Sequence, residues 1–225
     1  MAGFDSETLL KMVHDIHHFY SPLISDVMDA LGLQSGVLDH SVQALFENPM
    51  LKVCGIAFPC RVVPTNEYVE IDTLLEMLDA IPEHGFVLVA ADEDIDAALW
   101  GRGGLMSARA KVRGAVGAAV NGGVRDVGQI AEHGFPVFGT YRCVKDIRRR
   151  GFMHSYNVPI DIGHVRVNPG DIIFGDANGV IAIRQGDFPT VYQELVKALG
   201  EETATQRGLI AGGSAKALFS EHGRF

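Results

Sequence analysis

The stretch from Trp100 to Ile130 reads WGRGGLMSARAKVRGAVGAAVNGGVRDVGQI. It holds two glycine-rich segments separated by one expected helix and one expected strand. Gly101, Gly103 and Gly104 lead directly into the helix expected to begin near Leu105. Free backbone N–H groups at a helix start, with no side chains to obstruct them, form an anion site. The second segment, Asn121-Gly122-Gly123, reads as a loop after a buried strand and delivers Val124-Arg125-Asp126. If strand and helix pack side by side, Arg125 faces the first loop. A carboxylate could then be held by the amides of Gly103, Gly104, Leu105 and Met106 together with the Arg125 guanidinium. Asp126 could hold a hard divalent cation such as Mg²⁺, which commonly takes one or two carboxylates plus water. Such a pocket suits a small 2-oxo acid, because the cation and Arg125 would stabilise charge on the carbonyl oxygen as a C–C bond breaks. The same residues also read as glycine-rich turns at strand ends with a surface Arg–Asp pair of little energetic consequence. Dinucleotide-binding and P-loop spacings are absent from Gly101-Arg102-Gly103-Gly104. No G-x-S-x-G elbow occurs.

Several elements must position these residues. Ser6 is a plausible N-cap for a first helix. Ser21-Pro22 opens a second, closed by Gly32. Residues 53–63 read as a strand bent at Gly55. A helix over 68–81 ends at Pro82. Short buried strands are expected at 86–90, 115–120 and 136–138, with helices at 105–112 and 127–133. Strands at 164–167, 172–174 and 180–183, joined by Asn168-Pro169-Gly170-Asp171 and Asp176-Ala177-Asn178-Gly179, predict an antiparallel meander. A long helix over 188–206 follows. The pattern is mixed α/β in a single domain spanning 1–225.

Composition narrows the function classes. Of 225 residues, 47% are hydrophobic and 21% charged, as in a folded globular chain. The net charge of −9 argues against a nucleic-acid partner. Three cysteines without a short-spaced pair predict free thiols in a reducing compartment. No secretory signal or membrane-length apolar run is visible, so a cytoplasmic location with no membrane partner is expected.

Taken together, these segments resemble the RraA-like family of class II 4-hydroxy-4-methyl-2-oxoglutarate aldolases, oxaloacetate decarboxylases and regulators of ribonuclease activity. The resemblance runs through residues 24–32 (ISDVMDALG) and 55–58 (GIAF), and is densest over 100–126. It continues in 134–138 (GFPVF), 167–171 (VNPGD) and 175–180 (GDANGV). It implies an αββα sandwich of the swivelling β/β/α type, with N-terminal helices and a C-terminal helix. It also implies a homotrimer or homohexamer with the active site between subunits. On that resemblance the 103–106 loop (Gly103, Gly104, Leu105, Met106) binds pyruvate, Arg125 contacts substrate oxygens, and Asp126 binds Mg²⁺ or Mn²⁺. The implied activity is retro-aldol cleavage or decarboxylation releasing pyruvate. A non-catalytic ribonuclease-regulator-like protein, or an enzyme acting on a different keto acid, is the alternative.

Two positions depart from the family's pattern. The aldolases commonly carry Asp where this chain has Gly104. The ribonuclease regulators carry Gly there and an acid where this chain has Gln129. Asp92, Glu93 and Asp94 are candidate substitutes, as are Glu201 or Glu202 from a neighbouring subunit. Other features read as structural first. His14, His17 and His18 have metal-compatible spacing but suit an amphipathic face. His133, His154 and His164 lack a visible partner, and Asp161 and Asp176 suit turns. Arg148-Arg149-Arg150 suits a solvated face or subunit contact. Trp100 suits either a core or a pocket wall.

Overall fold

The computed structural model describes residues 6–223. Helices α1 (Ser6–Asp15) and α2 (Ser21–Ala30) come first, joined by a 3₁₀ turn at Ile16–His18. Strands β1 (Gln43–Ala44) and β2 (Lys52–Pro64) precede α3 (Asp72–Ala80) and β3 (Gly85–Ala91). Next come β4 (Ala98–Trp100), α4 (Gly103–Val112), β5 (Gly117–Val124), α5 (Val127–His133) and β6 (Val137–Arg142). Strands β7 (Gly151–Tyr156), β8 (Ile160–Ile162), β9 (Val165–Val167), β10 (Ile172–Asp176) and β11 (Gly179–Ile183) follow. Helices α6 (Phe188–Ile210) and α7 (Ala215–His222) complete the described chain. The Ser6 side chain, expected to cap α1, lies outside the described residues.

Chain contacts define two compact units. One is Gly36–Gln185; the other joins the residues before and after it. No linker composition marks either crossing at 35/36 or 185/186. In the helical unit α2 packs on α6. Pro22 stands in the first turn of α2, where its missing N–H costs nothing. Tyr192 sits edge-on to Phe19, with ring centroids 6.0 Å apart.

The larger unit is mixed α/β, built on a nine-stranded sheet whose main path runs β1-β6-β5-β3-β2-β10-β11, with β4 also pairing β5 and β7 also pairing β2. Strands β2, β3, β5 and β6 run parallel, while β10, β11 and β1 are antiparallel additions. Both faces of the parallel strands are covered, which explains their unbroken apolar runs. Along β3, Val87 and Val89 join Met77, Ile81, Met106 and Ala110 of the helix-covered core. The alternate residues Phe86 and Leu88 join Phe138, Ile173 and Ala182 on the opposite face, where the sheet curls towards closure.

Three expectations need correction. The helix expected over 68–81 begins only at Asp72, because Ile71 sits outside helical geometry (φ −93°, ψ 12°). The meander is incomplete. β10 and β11 pair as expected, but β9 pairs with β8 through a tight turn at Gly163 and His164, both with positive φ. The segment read as the second glycine loop is strand: β5 runs through Gly122 and Gly123, and its pairing with β6 shifts register there. A bulge with small residues lets β4 lie close. A Cβ on Gly122 would meet Leu99 Cδ1 at 2.7 Å.

Candidate functional site

Two chain crossings build the site. The first is the start of α4. Its first-turn amides, on Gly103, Gly104 and Leu105, have no carbonyl four residues back inside the helix. Met106 differs from the expectation: its N–H donates to the Arg102 carbonyl at 2.8 Å, so it is committed to the helix ladder. The second crossing is the end of β5. A Cβ on Gly103 would lie 2.2 Å from the Arg125 carbonyl oxygen and 2.8 Å from Ile130 Cδ1. Only glycine allows this approach, and it brings the Arg125 backbone against the first turn of α4.

Arg125 is held from two sides. Its Nη1 lies 2.9 Å from an Asp146 carboxylate oxygen, and its Nε lies 3.6 Å from Asp126 Oδ2. The Nε is buried and has no hydrogen-bond partner. A guanidinium's Nε side supports forked recognition of carboxylates, and here that donor makes no hydrogen bond, its nearest charge partner being Asp126. Asp126 adopts left-handed backbone (φ 62°, ψ 34°) at the N-cap of α5. Such a conformation in a non-glycine residue marks a constrained, often functional, position.

Asp146 gave no signal in the sequence. It lies beyond β6, in a turn crowded with arginines, and nothing in its spacing relates it to Arg125. Its own geometry is fixed locally. Oδ1 accepts the Arg148 N–H at 2.8 Å, and its carbonyl accepts from Arg150 Nη1 at 3.1 Å. The basic run is therefore part of a folded turn, with Arg148 also 5.8 Å from the centroid of the Tyr68 ring.

The two departures noted at Gly104 and Gln129 meet in space. A Cβ on Gly104 would fall 2.0 Å from Gln129 Oε1. The Gln129 carboxamide occupies the room that a side chain at position 104 would need. Asp92 is committed elsewhere, with both carboxylate oxygens accepting from Arg61 at 2.7 and 2.6 Å. Glu202 accepts from the Tyr20 hydroxyl within the helical unit. Trp100 belongs to the core: fully buried, it stacks on Phe135 and donates from Nε1 to Ser107 Oγ at 3.0 Å. Asp176 is a turn former, accepting the Asn178 N–H at 2.8 Å. His154 Nδ1 lies 3.2 Å from Ser155 Oγ, and His164 lies 3.6 Å from Asp39.

Among the described residues, no group of three or more His, Cys, Asp or Glu side chains is arranged to hold a metal. Asp126 still suits a hard cation as a lone protein ligand. Its carboxylate is 33% exposed, and Mg²⁺ retains most of its water shell when only one or two carboxylates bind it. A largely apolar cavity of about 50 Å³ adjoins the same crossing, lined in part by Gly101, Arg102, Met106 and Asp146.

The RraA-like family model (Aldolase/RraA) matches residues 21–182. The chain belongs to the RraA-like family. The match spans β2, the α4 loop, Arg125 and Asp126. A protein of Halalkalibacterium halodurans named "Putative 4-hydroxy-4-methyl-2-oxoglutarate aldolase" is 31% identical over 186 residues, covering 83% of this chain and 82% of that protein. Protein DlpA of Legionella pneumophila is 31% identical over 182 residues, covering 80% of this chain but only 28% of DlpA. The Streptomyces coelicolor structure of RraAS2, a member of the RNase ES inhibitor RraA family, superposes with a TM-score of 0.74 at 20% identity. It covers 92% of this RraA-like chain and 98% of its own, which establishes the shared fold. No described helix is long and apolar enough to cross a membrane.

Proposed function

We propose that this RraA-like protein is a carbon–carbon lyase that releases pyruvate from a small 2-oxo acid. One observation carries the reading. Arg125 is braced by Asp146 at Nη1 while its buried Nε, beside Asp126, makes no hydrogen bond, and its backbone touches the first turn of α4. The substrate carboxylate is held by the Gly103, Gly104 and Leu105 amides and by Arg125. The guanidinium also faces the C2 carbonyl oxygen. When the C3–C4 bond breaks, its electron pair moves to C3 and onto that oxygen, giving an enolate. In retro-aldol cleavage the C4 hydroxyl loses its proton and becomes a carbonyl. In decarboxylation carbon dioxide leaves. A proton returned to C3 completes pyruvate. Fixed positive charge aimed at the developing oxyanion lowers the barrier because it needs no reorganisation during reaction. A divalent cation, Mg²⁺ or Mn²⁺, bound at Asp126 would supply Lewis-acid polarisation of the same oxygen.

The name of the Halalkalibacterium relative supports a 4-hydroxy-4-methyl-2-oxoglutarate-like substrate. The reading also assigns a homotrimer or homohexamer. Leu105, 68% exposed beside the cradle, suits cover by a second subunit. A cytoplasmic setting suits the three free cysteines. Gly104, the residue the regulators carry at that position, favours the second reading of a non-catalytic regulator, whereas Gln129 stands where the regulators carry an acid. An assay of pyruvate release from oxaloacetate and from 4-hydroxy-4-methyl-2-oxoglutarate separates the two. Release that needs Mg²⁺ or Mn²⁺ and stops with chelator is expected. No release from either substrate with either metal overturns the lyase reading.

A further inference from the structure

We infer that Gln129 is a substrate-binding residue of the candidate site: its carboxamide Nε2 donates to the carboxylate held over the first turn of α4. The inference rests on the lyase reading and adds a neutral arm to its cradle. Gln129 is the third residue of α5, and the residue is exposed. Its side chain nevertheless folds back over α4. A Cβ placed on Gly104 would meet three of its atoms, Oε1 at 2.0 Å, Cβ at 2.8 Å and Cδ at 2.9 Å. The side chain therefore lies along the backbone of Gly104, which is buried although it stands in the first turn of its helix. Holding a long side chain in one conformation costs rotamer freedom. Among the described residues, no hydrogen bond of the Gln129 carboxamide offsets that cost.

The start of α5 points the same way. Asp126 at the N-cap, with Gln129 three residues on, has the spacing of a capping box, in which each side chain bonds the other residue's backbone N–H. Asp126 makes no such cap bond, and its Oδ2 lies 3.6 Å from Arg125 Nε. Gln129 lies on Gly104 instead. Arg125 and Gln129 thus both reach the first turn of α4, one through its carbonyl at Gly103 and the other through its side chain at Gly104. The N–H and Cα–H groups of that turn carry positive partial charge, so the carboxamide oxygen faces Gly104 and Nε2 is the outward donor. A carboxylate has about four acceptor sites for such donors. Neutrality matters at this position. Arg125 already faces Asp126 and Asp146, two carboxylates against one guanidinium. A carboxamide adds a donor without a third negative charge. A carboxylate in its place would only accept, and would repel the incoming anion.

Isothermal titration of pyruvate in Mg²⁺ buffer into the full-length wild type, Gln129→Met and Gln129→Glu tests the inference. Both substitutions keep the length of the side chain. The first removes the donor, and the second replaces it with a charge. At an exposed position neither is expected to disturb the fold, and matched unfolding temperatures check this. Gln129→Met is expected to weaken pyruvate binding about fivefold, less than a fully buried hydrogen bond to a charged group would give. Gln129→Glu is expected to weaken it at least about fivefold further, through like-charge repulsion. Wild-type affinity in both variants overturns the inference and leaves the lyase reading standing. A loss confined to Gln129→Glu overturns it too, since that marks repulsion by the new charge and not a missing donor. Failure of the wild type to bind pyruvate removes the lyase reading and the role of Gln129 with it.

Discussion

Arg61 lies on strand β2 and Arg125 directly follows strand β5 of the parallel sheet, and both stand beside aspartates. Their surroundings differ in a way that separates support from recognition. Arg61 donates from Nε and Nη2 to the two oxygens of Asp92, at 2.7 and 2.6 Å, so its forked edge is fully matched. The cleft next to it, about 550 Å³, is far roomier than the cavity near Arg125. Its second arginine, Arg166, is likewise paired, with Asp161 at 2.8 Å. Arg125 has its Nη1 braced by Asp146, while Nε is buried without a hydrogen-bond partner, 3.6 Å from Asp126 Oδ2. Space alone would select the first region. A guanidinium donor without a hydrogen bond, beside the helix-start amides, favours the second.

The contrast can be broken experimentally. Arg125→Ala removes the oxyanion donor and is expected to lower turnover by about 10²–10³-fold, as loss of one such donor does elsewhere. Arg61→Ala should leave turnover within about twofold, since exposed ion pairs contribute little. Steady-state pyruvate release by the two variants checks the pair. Gly103→Ala forces a methyl group to 2.2 Å from the Arg125 carbonyl. Overpacking of this kind costs about 1–3 kcal/mol, and denaturant unfolding should show it.

Asp146→Ala frees the guanidinium and is expected to reduce kcat about tenfold, within the range that misplacement of a reacting group produces. Asp146→Asn should retain most of the activity, because its carboxamide oxygen can still accept from Nη1. Equal losses in the two variants would argue against bracing. The smallest effect belongs to the other region. Hydrogen bonds from Arg61, foremost, hold the Asp92 carboxyl below its ordinary range, against an opposing effect of burial. A depressed folded-state pKa gives stability that is present above the unfolded value, near 3.9, and is lost as pH falls through the folded value. Asp92→Asn should flatten that acid limb of the stability profile and leave the neutral region alone.

The core of the candidate site was legible in sequence because it is local. Gly101 to Leu105 and Arg125-Asp126 each announce themselves within a few residues, and the strand between them begins as a short apolar run. Local pattern also marked α2, through Ser21-Pro22, and the β10–β11 hairpin, through Asp176 and Gly179. What escaped depends on distant partners. β7 exists because it pairs with the far half of β2. Gly122 and Gly123 look like a loop until β4 lies against them. Asp146 became visible only when the turn after β6 returned to Arg125. Gln129 and Gly104 were separate oddities in sequence and are one contact in the fold.

The central claim is that Arg125, with the α4 amides, binds the carboxylate of a 2-oxo acid. Calorimetric titration of pyruvate in Mg²⁺ buffer into the wild type, Arg61→Ala and Arg125→Ala tests it most directly. The account predicts near-equal affinities for the first two and at least about tenfold weaker binding for Arg125→Ala, the loss of a charge-assisted hydrogen bond. Pyruvate bound equally well by Arg125→Ala would contradict it.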